Sequence, residues 1–107
     1  MELINLKILK KHLSKNKRNL RLRREVVKLI SLLREDDFNS YQEQKKVRKD
    51  ADNVFEEVAF LFNIHSHRTL VQIEFNAQIA KFLWAGNHDK YDRYFKGDKK
   101  AIKDLVK

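Results

Sequence analysis

Apolar residues in the first third of the chain recur with a helical period. Positions three and four residues apart are apolar over one stretch: Leu22, Val26, Leu29, Ile30 and Leu33. This spacing predicts an amphipathic helix with one buried side. A weaker alternation over residues 2–8 indicates a strand, and helical spacing then predicts a short helix that begins near Lys7. A basic join at residues 16–19 would make the two helices a hairpin.

Three apolar runs of strand length follow in the second half of the chain. They cover residues 58–64, 68–75 and 78–85. All three are rich in Val, Ile, Phe or Trp, which strands favour. The breaks at residues 65–67 and 76–77 predict short turns, so the runs should form an antiparallel meander. Before them, residues 36–53 are polar and are expected to be a long connection with room for a helical turn.

The last segment of the chain predicts a short helix. Gly97 and Asp98 are typical of a helix stop followed by a helix cap, and the residues beyond them have an apolar side. All these patterns predict an α+β fold in a single domain, residues 1–107. In that fold an N-terminal strand and a two-helix hairpin pack on a small antiparallel sheet, and a short helix ends the chain.

Charge adds a class of partner to this picture. The chain has 24 Lys and Arg against 15 Asp and Glu, which gives a formal net charge of +9. Such an excess favours a polyanionic partner, meaning nucleic acid, an acidic protein or a membrane surface. Cations are dense around the predicted hairpin join: Lys10, Lys11, Lys15, Lys17 and Arg18. They either bind RNA phosphates or form a solvated face, and the sequence leaves both interpretations open.

Several classes of protein and site are excluded by composition. There is no cysteine, so neither disulfides nor thiolate metal sites can form. No apolar run is long enough to span a bilayer, and the N-terminus lacks the apolar region of a signal peptide. We therefore expect a cytoplasmic protein with no membrane partner. Gly-rich phosphate loops and nucleophile elbows are also missing, which argues against nucleotide hydrolases and serine hydrolases.

Three of the four histidines lie near the ends of predicted strands: His65, His67 and His88. A His-x-His pair on a strand would place both rings on one face, where zinc could bind. Exposed turn residues are the simpler interpretation, since a spacing of two residues has many chance matches. We therefore expect neither a metal nor a cofactor.

The end of the third apolar run indicates a site. The run breaks at Gly86-Asn87 and leads directly to His88, Tyr91 and Arg93. A helical turn there would place His88 and Tyr91 on one face, although a capped, solvated helix has the same pattern. Such side chains could cleave RNA without metal. Because the 2′-OH of RNA is the nucleophile, the protein needs only a base, an acid and a cation for the charge on phosphorus.

From residue 52 to residue 94 the chain resembles the HigB branch of the RelE-like bacterial toxins. In that branch one strand ends in a Phe-Asn-Ile-like triplet, which is Phe62-Asn63-Ile64 here. The next strand of the family opens with Tyr-Arg-Leu, where this chain has His67-Arg68-Thr69. The family's Gly-Thr-His-x-x-Tyr-Asp corresponds to residues 86–92, with Asn87 in place of the Thr.

The resemblance implies the toxin of a type II toxin–antitoxin system. Such a toxin is an endoribonuclease, or mRNA interferase, that cleaves messenger RNA without metal, usually on the ribosome. The catalytic positions that match the family are Arg68, His88 and Tyr91. His88 and Tyr91 would be the proton-transfer pair, in either order, and Arg68 the phosphate clamp. Nearby residues expected to bind RNA are His67, Lys81, Lys90, Arg93 and Lys96.

The partner that the resemblance implies is a cognate antitoxin, expected to be a helix-turn-helix protein. Two other functions stay open from the residues alone. One is a non-catalytic RNA- or ribosome-binding module that uses the basic residues between 7 and 24. The other is an inactive toxin copy that acts as a protein-interaction partner.

Overall fold

A computed structural model, which describes residues 1–106, contains the predicted N-terminal strand and helical hairpin. The elements are β1 (Glu2–Ile4), α1 (Lys7–Lys15) and α2 (Leu20–Glu35). The buried side of α2 consists of Leu22, Val26, Leu29 and Leu33. This is the side that the apolar spacing predicts. The side chain of Asn19 accepts the N–H of Leu22 at 3.0 Å and so caps the start of α2.

The polar segment 36–53 is more regular than the connection expected from its sequence. It contains α3 (Tyr41–Val47) and the start of β2 (Asp52–Phe55). The first turn of α3 is capped, because the Ser40 hydroxyl accepts the N–H of Glu43 at 3.3 Å. The Glu43 carboxylate in turn accepts the N–H of the residue before Ser40 at 2.8 Å. β2 lies at the edge of the sheet, where a short polar strand needs to pair on one side alone.

The predicted meander is confirmed, and two further strands extend it to five strands within residues 1–106. Its strands are β3 (Ala59–Ile64), β4 (His67–Glu74) and β5 (Ile79–Asn87). The sheet order is β1-β5-β4-β3-β2, and every pair from β5 to β2 is antiparallel. β1 pairs with β5 in parallel. The sheet is therefore mostly antiparallel, as expected, with one parallel pair that local patterns did not predict.

The helices α1, α2 and α3 cover one face of the sheet. Three strand phenylalanines fill the core beneath them: Phe60, Phe62 and Phe82. The predicted α+β arrangement, with a helical pair packed on a small sheet, is confirmed. Within residues 1–106, no helix combines the length and the apolar composition that crossing a membrane requires.

Two short helices cover the other face of the sheet. These are α4 (His88–Tyr94) and α5 (Lys99–Val106), so the predicted short C-terminal helix is confirmed. Between them Gly97 has a φ of 74°, a conformation that glycine adopts without strain. The Asp98 carboxylate accepts the N–H of Ala101 at 3.0 Å and caps α5. Both faces of the central strands are thus buried, and α4 lies beside β4 and β5.

Two neighbouring valines of α2 test how much the core beneath the hairpin contributes to stability. Val26 is 1% exposed and Val27 is 55% exposed. Val26→Ala should lower the free energy of unfolding by about 1.5–3 kcal/mol, because it removes buried methyl groups and leaves a cavity. Val27→Ala, the matched control, should change it by less than about 0.5 kcal/mol. Urea unfolding followed by circular dichroism measures both, and equal effects would contradict this orientation of α2.

Candidate active site

The site starts where β5 runs directly into α4. β5 continues to Asn87, past the break at Gly86-Asn87 that the sequence predicted, and α4 begins at His88. The Asn87 side chain accepts the N–H of Lys90 at 2.8 Å and caps the helix. Because no loop separates the strand from the helix, the sheet fixes the positions of His88 and Tyr91.

Gly86 is required by the packing behind Tyr91. The indole ring of Trp84 lies over this glycine, so a Cβ atom at position 86 would overlap the ring. The same indole packs against Phe95, with ring centroids 5.1 Å apart, and against Tyr91, at 6.1 Å. The glycine therefore leaves room for an aromatic cluster that holds Tyr91 in place.

Arg68, His88 and Tyr91 line one open cleft with a volume of about 460 Å³. Arg68 reaches the cleft from β4, where its backbone pairs with Gly86 on one side and Asn63 on the other. Three lysines and four aspartates also line the cleft: Lys45, Lys96, Lys99, Asp50, Asp52, Asp92 and Asp98. The structure thus brings together the three residues expected to be catalytic, in a cleft that carries both signs of charge.

His88 is held by the carboxylate of Asp92, one turn further along α4. Its Nε2 atom lies 3.2 Å from Asp92 Oδ2, and about half of the His88 side chain is exposed. Within residues 1–106, neither ring nitrogen of His88 forms a hydrogen bond, so the neutral ring has a free lone pair. This arrangement can act as a general base towards a substrate in the cleft.

Tyr91 is nearly buried, with 8% of its surface exposed. Burial raises the pKa of its hydroxyl, and the negative charges of Asp52 and Asp92 raise that pKa further. The phenol is therefore neutral at pH 7. It can donate a proton or a hydrogen bond, and it is poorly suited to accept a proton.

Within residues 1–106, Arg68 forms no ion pair with a carboxylate. Its Nη1 atom donates to the backbone oxygen of His67 at 3.1 Å. A guanidinium without an ionic partner, at the wall of a cleft, is suited to bind a phosphate group.

The other residues predicted to bind RNA are spread over the surface. Lys96 lines the cleft, whereas Lys90 and Arg93 are exposed on α4 outside its lining. Lys81 lies further back on β5, opposite Gln72. The five cations around the hairpin join are all exposed: Lys10, Lys11, Lys15, Lys17 and Arg18. An RNA-binding role for these residues stays a prediction.

His67 lies on the opposite face of the sheet from Arg68, because neighbouring strand residues point to opposite faces. Its Nδ1 atom is 2.8 Å from Nε2 of His12 on α1, so one ring donates and the other accepts. Burial lowers the pKa of His12 to about 4, and the charges of His67, Lys90 and Lys15 act in the same direction. Sequence reasoning missed this pair, because its members are 55 residues apart.

A network around Asp50, also missed from the sequence, forms one wall of the cleft. Arg48 donates from Nε and Nη2 to the two carboxylate oxygens of Asp50, both at 2.8 Å. Arg48 Nη2 also donates to the backbone oxygen of Asn63 at 2.7 Å, and the Asn63 N–H donates to Asp50 at 2.8 Å. Burial alone would raise the pKa of Asp50, but the hydrogen bonds from Arg48 and Asn63 outweigh burial and lower it. An Arg-x-Asp spacing is the available signal, and it is too common to identify such a network.

The histidines considered for zinc do not converge. His65 is exposed in the turn between β3 and β4, His67 pairs with His12, and His88 lines the cleft. In the part of the chain that the structure describes, no three His, Asp or Glu side chains are grouped so as to hold a metal ion.

Comparison with known proteins gives one family match. The sequence model of the HigB_toxin family, described as the RelE-like toxic component of a toxin–antitoxin system, matches residues 22–94. The matched stretch is more than half of the chain and includes Arg68, His88, Tyr91 and Asp92. No curated protein matches the chain.

The His12–His67 pair predicts a pH-dependent stability. Because the pKa of His12 is lower in the folded protein than in the unfolded chain, the unfolded state binds a proton first as the pH falls. The contribution of a neutral His12 is therefore full above about pH 6.5 and is lost as the pH falls towards 4. Urea unfolding of the natural protein and of His12→Gln should give a difference that shrinks by on the order of 1–2 kcal/mol over this range. This is less than the whole pKa shift would give, since water reaches part of the ring.

The matched control for this measurement is His65→Gln, which changes an exposed turn histidine. Its difference from the natural protein should change with pH by less than that of His12→Gln. Parallel pH curves for the natural protein and His12→Gln would show that the ring pair does not disfavour protonation.

Proposed function

This chain belongs to the HigB family of RelE-like toxins, the toxic components of toxin–antitoxin systems, and from this premise we propose that it is an endoribonuclease. Its substrate is messenger RNA, cleaved on the ribosome by attack of the 2′-OH without metal. The observation that supports the proposal most is the meeting of Arg68, His88 and Tyr91 in one cleft. These side chains supply a base, a proton donor and a cation, which is all that this reaction needs from the protein.

His88 is the base in the proposed reaction. The Asp92 carboxylate lies 3.2 Å from Nε2, and Nδ1 makes no hydrogen bond within residues 1–106, so Nδ1 can take the proton of the 2′-OH. The 2′ oxygen then bonds to the adjacent phosphorus while the bond from phosphorus to the 5′ oxygen breaks. The products are a 2′,3′-cyclic phosphate and a 5′-hydroxyl.

Tyr91 is the proton donor to the leaving 5′ oxygen. Burial and the charges of Asp52 and Asp92 raise the pKa of its hydroxyl, so the phenol is protonated at pH 7 and has a proton to donate. Tyr91 has its ring fixed by Trp84 and Phe95, so its hydroxyl is held in one place while the substrate binds. We therefore propose His88 as the base and Tyr91 as the acid, an order that the sequence left open.

Arg68 holds the negative charge that develops on the phosphate oxygens. Its guanidinium has no ionic partner in residues 1–106, so binding a phosphate breaks no existing ion pair. Three lysines in the same lining, Lys45, Lys96 and Lys99, balance the charges of Asp52, Asp92 and Asp98. The charge of Asp50, which would repel the substrate, is compensated by Arg48.

The proposed function includes a cytoplasmic location, where ribosomes and messenger RNA are present, and an antitoxin partner. The family supports the antitoxin, since its members are one half of a toxin–antitoxin system. A basic toxin with a formal net charge of +9 is suited to an acidic or groove-filling antitoxin. As the resemblance implies, we expect a helix-turn-helix protein.

Substitution of the three cleft residues tests the proposed chemistry. His88→Ala, Tyr91→Phe and Arg68→Ala should each reduce cleavage of a translated message by about a hundred-fold or more. Tyr91→Phe is the sharpest variant, because it removes one hydroxyl and keeps the ring that packs on Trp84 and Phe95. Cleavage in a ribosome-containing translation reaction is the measurement, with circular dichroism to verify folding.

The chain offers controls of the same residue type for two of the variants. Tyr94 and Arg34 are exposed and lie outside the cleft lining. Tyr94→Phe and Arg34→Ala should therefore cleave nearly as fast as the natural protein. If all three cleft variants keep full cleavage, the proposed site is wrong and a non-catalytic RNA-binding module becomes the better explanation.

The exposed cations around the hairpin join give a separate prediction about ribosome binding. Reversing Lys10, Lys17 and Arg18 to Glu should weaken binding to ribosomes, and the loss should shrink as salt rises. The melting temperature should hardly change, since exposed charges contribute little to stability. Reversal of Lys46, Lys100 and Lys103, which are exposed on α3 and α5, is the control. Co-sedimentation at several salt concentrations measures the binding, and equal losses in both triple variants would contradict a specific role for the join.

A further inference from the structure

A second cleft adjoins the candidate active site. It has a volume of about 510 Å³, with α2 on one side and the residues around β3 on the other. Its lining consists of Arg21, Arg24, Glu25, Lys28, Arg48, Asp50, Asn63 and His65. Asp50 and Asn63 line the first cleft as well, so the two clefts share a wall.

The α2 side of this second cleft presents a row of cations. Arg21, Arg24 and Lys28 are spaced by three and four residues, so they lie on one side of the helix. Each is about one helical turn from the next, and a turn rises about 5.4 Å along the axis. All three are exposed. A spacing of one cation per turn is close to the separation of successive phosphates in an extended nucleic-acid strand, which makes the row a track for such a backbone.

The charges of Arg21 and Arg24 are available to a ligand. Neither forms an ion pair with a carboxylate in residues 1–106. Lys28 lies 3.4 Å from Glu25, a solvent-exposed pair that a phosphate can displace at little cost. Both carboxylates in the lining are thus paired with a cation, Glu25 with Lys28 and Asp50 with Arg48.

The wall between the clefts places the second cleft next to Arg68. Asn63 is paired with Arg68 across β3 and β4, so their Cα atoms are about 5 Å apart. His65, in the turn that follows, lines the second cleft. A strand whose scissile phosphate lies at Arg68 can therefore pass around this end of the sheet to α2. The carboxylate that it must pass, Asp50, is compensated by Arg48 through two hydrogen bonds.

We propose that the α2 cleft is a second phosphate-binding subsite, in which Arg21, Arg24 and Lys28 hold the backbone of the RNA strand beside the cleaved nucleotide. The identity of the ligand as the substrate RNA rests on the proposed function. The subsite is separate from the hairpin join, whose five cations do not line this cleft. Its contacts are made to phosphates, so it contributes affinity and register without sequence preference.

The experiment measures binding of a single-stranded 2′-O-methyl RNA, which has no 2′-OH to react. Fluorescence anisotropy over a range of salt concentrations gives the slope of log affinity against log salt. Arg21→Ala/Arg24→Ala should reduce that slope by about 1.4, because each phosphate contact to a single strand contributes about 0.7. Arg23→Ala/Arg34→Ala removes the same charge from exposed positions of the same helix that line neither cleft. This control should leave the slope unchanged.

Length dependence tests whether the two clefts hold one strand. A 2′-O-methyl dinucleotide has one internucleotide phosphate, so it cannot place phosphates in both clefts at once. Its binding at the first cleft, followed by NMR chemical shifts of the residues there, should be the same in the natural protein and Arg21→Ala/Arg24→Ala. Equal slope changes in the cleft variant and its control would overturn the proposal, as would no change in either. Loss of binding to the antitoxin in Arg21→Ala/Arg24→Ala, with RNA binding intact, would overturn it too and assign the cleft to a protein partner.

This outcome is independent of the proposed chemistry. The RNA is unreactive and Arg68, His88 and Tyr91 are unchanged, so the slope reports the subsite whether or not those residues catalyse cleavage. His88→Ala, Tyr91→Phe and Arg68→Ala could all keep full cleavage while Arg21→Ala/Arg24→Ala still lowers the salt slope. In that case the proposed function fails and the subsite stands.

Discussion

The register of β4 against β5 is the constraint on which the candidate site depends. It places Arg68 opposite Gly86, and Gly86 is followed within two residues by the start of α4. The Thr69 hydroxyl donates to the backbone oxygen of Trp84 at 2.9 Å and adds to the ladder at this point. A slip of one residue would move Arg68 to the face occupied by His67 and α1, because side chains alternate along a strand. The cleft would then lose its guanidinium group.

The same register explains why one stretch carries both packing and chemistry. Trp84 and Gly86 are two residues apart on β5, so the indole can lie over the glycine and support Tyr91 and Phe95. The helix that presents His88 and Tyr91 to the cleft is thus part of the hydrophobic layer that covers this face of the sheet. Stability and site geometry are coupled here, since a change that loosens the aromatic cluster also moves the proposed proton donor.

Much of the fold follows from local patterns in the sequence. The spacing of Leu22 and Val26 predicted the buried side of α2, and the alternation in three apolar runs predicted the meander. The cap at Asn87 and the helical spacing of His88 and Tyr91 predicted the part of the site that α4 presents. These features are local, so residues a few positions apart determine them.

The parts that the sequence did not reveal are set by contacts between distant residues. β1 pairs with β5 from the other end of the chain, with Glu2 opposite Ile79, and β2 is a short edge strand that pairs with β3 alone. The His12–His67 pair joins α1 to β4, and Asp50 meets Asn63 across thirteen positions of sequence. Neither has a spacing that distinguishes it from chance. The second cleft is formed by α2 together with the end of β3, so no local pattern in the sequence predicts it.

The central claim, that the cleft of Arg68, His88 and Tyr91 directs attack by the 2′-OH, is tested most directly by the chemistry of the cut ends. Cleaved message fragments can be isolated and their termini identified by mass spectrometry. Attack by the 2′-OH leaves a 2′,3′-cyclic phosphate, or the 3′-phosphate that its hydrolysis gives, on one fragment and a 5′-hydroxyl on the other. Fragments that end in a 3′-hydroxyl and a 5′-phosphate would contradict it, because that pattern requires water, and not the 2′-OH, as the nucleophile.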